Sequence, residues 1–85
     1  MKLPLIKHMV QFIEENDEDY VEETLEVLEH LCDFSGIKDE EIDVLGEIIS
    51  NLYGALEVHK EIKSGVVKKE ALNNFMKRVQ GSIDQ

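Results

Sequence analysis

Eighty-five residues, 42% of them hydrophobic and only one a proline, describe one compact domain rather than a disordered chain. A single cysteine excludes an internal disulfide framework and a multi-cysteine zinc site, and apolar runs of only a few residues exclude a membrane-spanning helix. The net charge of −10 is concentrated in residues 14–47, where fifteen acids face Lys38 alone, and such a surface repels the phosphates of nucleic acids.

The hydrophobic periodicity predicts four amphipathic helices and no strand, an all-α bundle with one long central helix. The first covers about residues 4–15. Pro4 suits a first helical turn, and Leu5, Ile6, Met9, Val10, Phe12 and Ile13 share one face. Asn16 or Asp17 then caps a second helix over about 17–34, with acids at its positive end. Its apolar face is Tyr20, Val21, Thr24, Leu25, Val27, Leu28, Leu31 and Cys32, and Ser35-Gly36 supplies the stop. The third helix spans about 39–63, with Ile42, Leu45, Ile49, Leu52, Leu56 and His59 repeating in coiled-coil-like steps. The fourth covers about 67–80, turns Leu72, Phe75, Met76 and Val79 inward, and stops at Gly81 before a frayed tail from Ser82 to Gln85. At 1.5 Å per residue the third helix is roughly 37 Å long and the first and fourth roughly 18–20 Å. The short helices therefore lie end to end along it, or it overhangs and needs a second copy.

Catalytic signatures are few. His8 reads as a surface residue, and His30, between Glu26 and Asp33, as a solvated histidine held by carboxylates. His59 sits on the seam of the third helix, where a core histidine with one hydrogen bond is the simplest reading and a ligand role the alternative. The three histidines lie on three helices, and neither H-E-x-x-H nor E-x-x-H occurs. The acids of Asn16 to Glu23 open a helix and lack the central glycine of a calcium loop. Cys32 on an apolar face reads as a buried structural thiol, because reactive thiols occupy electropositive, exposed places. No cofactor or metal is implied, and the expectation is a non-enzymatic protein.

Gly46, Ser50 and Gly54, flanked by Tyr53, form a stripe of small residues beside the seam of the third helix. Glycine in a helix interior costs about 1 kcal/mol relative to alanine. Close approach of another helix is the expected return, by analogy with small-residue stripes in membranes. Three readings follow: a kink at Gly54, a tight contact with the first or fourth helix, or a two-fold contact between two copies. The last is preferred, because it would also cover the overhang.

The stretches KLPLIKHMVQFIEENDEDYVEETLEVLEHL, DEEIDVLGEIISNLYGALEVHKEIK and ALNNFMKRVQGSID together cover most of the chain. They resemble a family of short, uncharacterised, acidic bacterial helical proteins, a domain of unknown function. The resemblance implies genes encoded near thioredoxin- and peroxiredoxin-like proteins, and hence an accessory or regulatory role in a thiol redox system. It transfers no site residue. The expected function is an acidic helical interaction domain of the cytoplasm, self-associating as a homodimer and able to meet a basic protein surface, with no nucleic acid or membrane partner. The alternatives are the redox accessory role, resting on Cys32, and a small-molecule or metal-binding bundle around His59.

Overall fold

The computed structural model describes residues 2–84, with side-chain surroundings to Val79. Four helices follow one another: α1 (Leu3–Glu15), α2 (Glu18–Leu31), α3 (Asp39–Lys63) and α4 (Lys68–Asp84). Pro4 lies in the first turn of α1. Asp17 caps α2 by accepting the Asp19 amide at 3.1 Å. The Glu41 carboxylate accepts the Lys38 amide at 2.9 Å, half of a capping box at the start of α3. Gly65, at φ 108°, closes α3. The Val66 amide reaches the Glu61 carbonyl and the Gly65 amide the Ile62 carbonyl, a Schellman stop that requires the left-handed conformation glycine adopts freely.

Two helix ends differ from expectation. α2 ends at Leu31 rather than Phe34, and the chain turns through residues 32–36 without a left-handed glycine. Gly36 instead makes room for a ring: a Cβ there would lie 2.7 Å from Cζ of Phe34. α4 runs through Gly81 to Asp84, because one glycine weakens a helix without forcing it to stop. The expected fraying of the tail concerns residues of which only the backbone to Asp84 is described, and Gln85 lies outside the described residues.

The core forms around the second half of α3. Ile6, Val10 and Ile13 of α1, Val21 and Leu25 of α2, and Ala71, Leu72 and Phe75 of α4 are buried around Leu52, Ala55 and Val58. Each large side chain so buried contributes roughly 1.5–3 kcal/mol. The expected α3 seam is corrected here. Of its members only Leu52 is buried; Leu45, Ile49, Leu56 and His59 are half-buried, and Ile42 is exposed. The fully buried positions are Asn51, Gly54, Ala55 and Val58, on a face roughly 140° around the helix from the seam at 100° per residue. α3 thus has two inner faces. One receives α1 and α4, and the seam lies beside α2.

α2 and α3 are antiparallel: Glu18 meets Lys63 at 3.4 Å, and further along Glu29 meets Tyr53. α1 is held at its start by Asn51, whose Oδ1 accepts the Lys2 amide at 2.9 Å while its Nδ2 donates to the Glu47 carbonyl at 2.7 Å. Among the described residues Asn51 is the buried polar residue of the core. Lys68 on α4 reaches Glu14 on α1 at 2.9 Å, and Arg78 on α4 reaches Glu57 and Glu61 on α3.

The result is a flat molecule of 43 × 35 × 17 Å with a radius of gyration of 13.9 Å, where a compact domain of this length has about 12 Å. The excess comes from an arm. From Glu26 to Ser50 no residue is buried, over the end of α2, the connecting turn and the first half of α3. Of the two geometries expected for the long helix, the overhang is the one observed.

Candidate interaction surface

The small-residue stripe divides between two environments. Gly54 is buried inside one chain, where a Cβ would lie 2.9 Å from Cζ of Phe75 and 3.2 Å from Cδ1 of Ile6. Its missing side chain lets α1 and α4 close on α3, so Gly54 faces inward rather than toward a second copy. Gly46 has no heavy atom within 4 Å of where a Cβ would stand, and Ser50 is exposed. Tyr53 is 46% exposed, and its hydroxyl donates to Oε1 of Glu29 at 2.8 Å. That bond, with partial desolvation and the negative charge of Glu29 adding to it, holds the phenol above its ordinary value of 10.0. A folded pKa above the unfolded one means the clasp between α2 and α3 is complete below pH 10 and lost as pH rises through the folded value. Glu29→Gln should therefore bring Tyr53 ionisation down toward 10.0, read by ultraviolet titration in a Tyr20→Phe background; an unchanged midpoint would show that the clasp is not formed.

The chemical candidates stand apart from one another. His59 is half-buried, with Nε2 3.8 Å from Oε2 of Glu18 and Nδ1 without a protein partner. Cys32 is half-buried rather than buried, at the end of α2. His8 and His30 are exposed. Among the described residues no cluster of three or more His, Cys, Asp or Glu side chains is placed to hold a metal ion, and no helix is long and apolar enough to cross a membrane.

What the periodicity did not distinguish is the surface of the arm. Val27, Leu31, Phe34, Ile42, Val44 and Ile48 are large apolar side chains left at 39–67% exposure. Leu31, Phe34, Ile37, Val44 and Leu45 line an open groove of about 610 Å³, with Glu40 and Glu41 as its polar members. Val44 continues it into a second hollow with Leu5 and Ile48. Contiguous apolar surface of this kind marks interaction sites in monomeric proteins. Every one of these residues except Phe34 and Ile37 belongs to a helical apolar pattern. The extra signal in the sequence is that α3 carries apolar residues around much of its circumference while the flanking helices are too short to cover them.

The arm is also where charge is unbalanced. Residues 26–50 carry eight acids against Lys38, a formal −7. Among the described residues the ion pairs engage Glu14, Glu18, Glu57 and Glu61 and none of those eight acids. Among the described residues the core end is cross-linked by opposite charges, and the arm is not.

Neither the curated proteins nor the solved structures yielded a match to the chain. A family model described as a family of unknown function (DUF6952) matches residues 1–84. With that span covering all but the last residue, the protein belongs to this family of unknown function.

Proposed function

We propose that the protein is a non-enzymatic helical interaction domain whose contact surface is the arm formed by the end of α2 and the first half of α3. The observation that carries this reading is the absence of any buried residue from Glu26 to Ser50, in a stretch with six exposed large apolar side chains. Folding leaves much of this apolar surface open to solvent, and a partner is what would cover it. Replacing Leu31, Phe34 and Val44 together with serine should leave the melting temperature within about 10 °C of the native value, since surface changes are usually within about 0.5 kcal/mol each. The same variant should lose association. A drop of 15 °C or more would show that the arm is part of the folded core and would overturn the reading.

A second copy is the second reading of the contact, favoured by Gly46 and Ser50, which stand open on the outer side of α3. In that homodimer the first half of α3, rather than Gly54, meets its symmetry mate. Light scattering at high micromolar concentration tests it. A native dimer that becomes monomeric in the serine variant is the expected result, and a native monomer removes the homodimer.

A further inference from the structure

The groove on the arm has a chemistry that selects its occupant, and the inference rests on the interaction-domain reading above. We infer that the occupant is a cationic amphipathic helix of a partner protein, its apolar stripe seated on Leu31, Phe34, Val44 and Leu45 and its lysines or arginines facing the acids of the arm. Three observations lead there. The groove is open and apolar, which suits a helix laid along it with anchors at i, i+3 or i+4, and i+7. Val44 also lines a second hollow with Lys2, Leu5, Glu47 and Ile48, so apolar side chains are open along α3 one turn beyond the groove. The surrounding acids are uncompensated: −7 over residues 26–50, with no ion pair to any of them among the described residues.

The same charge separates this occupant from its rivals. A two-fold contact of the arm with its copy sets the same patch against itself, so −7 would oppose −7, and like charges juxtaposed across an interface disfavour a pair. Nucleic acid and anionic lipid are repelled for the same reason. A helix with basic flanks gains from both halves of the surface. Charge raises the rate of encounter, and the apolar anchors slow release.

The test uses three synthetic 14-residue peptides and the full chain. The first carries leucines at helical spacing with lysines elsewhere, the second has the same composition scrambled to alternate, and the third has glutamate in place of lysine. Fluorescence anisotropy reads affinity, and amide chemical shifts locate the site. The expected result is saturable one-to-one binding of the helical leucine–lysine peptide, with shifts confined to residues 31–48. Affinity should fall at least tenfold for the scrambled peptide, for the glutamate peptide and for the protein variant F34S/V44S. Equal binding of the scrambled peptide, or an affinity unchanged in F34S/V44S, reduces the effect to bulk charge and overturns the inference. So does a lack of binding by all three.

Two outcomes separate the levels of the argument. A native dimer that F34S/V44S converts to monomer keeps the interaction domain and replaces the cationic helix by a second copy. Loss of the fold in F34S/V44S removes the interaction-domain reading itself.

Discussion

Gly54→Leu is expected to unfold the protein or leave it with only residual structure. Even a methyl group at position 54 would meet Cζ of Phe75 at 2.9 Å and Cδ1 of Ile6 at 3.2 Å. Leucine adds three further carbons to a closely packed junction, where Ile6 of α1 and Phe75 of α4 meet α3. Overpacking by a few methylenes costs about 1–3 kcal/mol, and here the displaced groups are core side chains of two other helices. A loss of about 3 kcal/mol or more is a large share of the roughly 4–13 kcal/mol that a chain of this length holds at 0.05–0.15 kcal/mol per residue.

The alanine variants separate packing from helix propensity. Gly54→Ala gains about 1 kcal/mol in propensity and loses about 2 kcal/mol to the short contacts with Phe75 and Ile6, so it should be destabilising by about 1 kcal/mol. Gly46→Ala meets nothing within 4 Å, so it should gain about 1 kcal/mol and raise the melting temperature by about 4–8 °C. Thermal denaturation of the three variants, with sedimentation to confirm that each is compared in the same oligomeric state, decides the matter. A folded Gly54→Leu with native stability would show that α1 and α4 do not close on α3 at this point.

Most of the fold could be read from the chain because its helices are strongly amphipathic and its breaks carry the right residues. Pro4 in the first turn of α1, Asp17 before α2 and Gly65 after α3 each act through a backbone requirement that is local. α2 ends three residues before the expected Phe34, since the apolar pattern that runs to Cys32 carries past the last helical turn. Gly81 looked like a stop, yet a glycine ends a helix only where the chain needs to turn, and α4 continues to Asp84.

The face of α3 was harder for a tertiary reason. Apolar residues lie on two sides of it, and periodicity reports that a side is apolar, not which neighbour covers it. Ile42, Leu45 and Ile49 share a seam with Leu52 in sequence, but Ile49 is packed against the core while Ile42 is exposed and Leu45 half-buried. The first turns of α3 therefore keep apolar side chains at the surface. The arm follows from a mismatch of helix lengths, and that mismatch was visible in the sequence even though its outcome was not. The two glycines have separate explanations for the same reason: Gly54 lies where three helices meet, and Gly46 lies beyond them.

Asn51 shows what a polar residue inside an apolar face can do, and removing it is expected to have the second large effect. It is 1% exposed, between residues that form the center of the core. Both ends of its amide are used. Oδ1 accepts the Lys2 amide at 2.9 Å and Nδ2 donates to the Glu47 carbonyl at 2.7 Å. Lys2 precedes α1 and has no side-chain cap of its own, so Asn51 supplies from α3 an acceptor at the helix start that the local sequence lacks. Asn51→Leu keeps similar volume and removes both hydrogen bonds, leaving the Lys2 amide facing an apolar group. Each bond is worth about 0.5–1.5 kcal/mol, and a partner left unsatisfied adds to the loss, so about 2–3 kcal/mol is expected. At about 4–8 °C per kcal/mol that is a fall in melting temperature of roughly 10–20 °C. The local signature is in α1. The Ile6 amide, which donates to the Lys2 carbonyl at 3.0 Å, closes the first turn. Its hydrogen exchange should accelerate by more than the drop in global stability alone allows, while amides in the second half of α3 follow the global change. Equal acceleration across both helices would mean that Asn51 contributes through core packing and does not anchor α1. An unchanged melting temperature would show that neither hydrogen bond holds the fold.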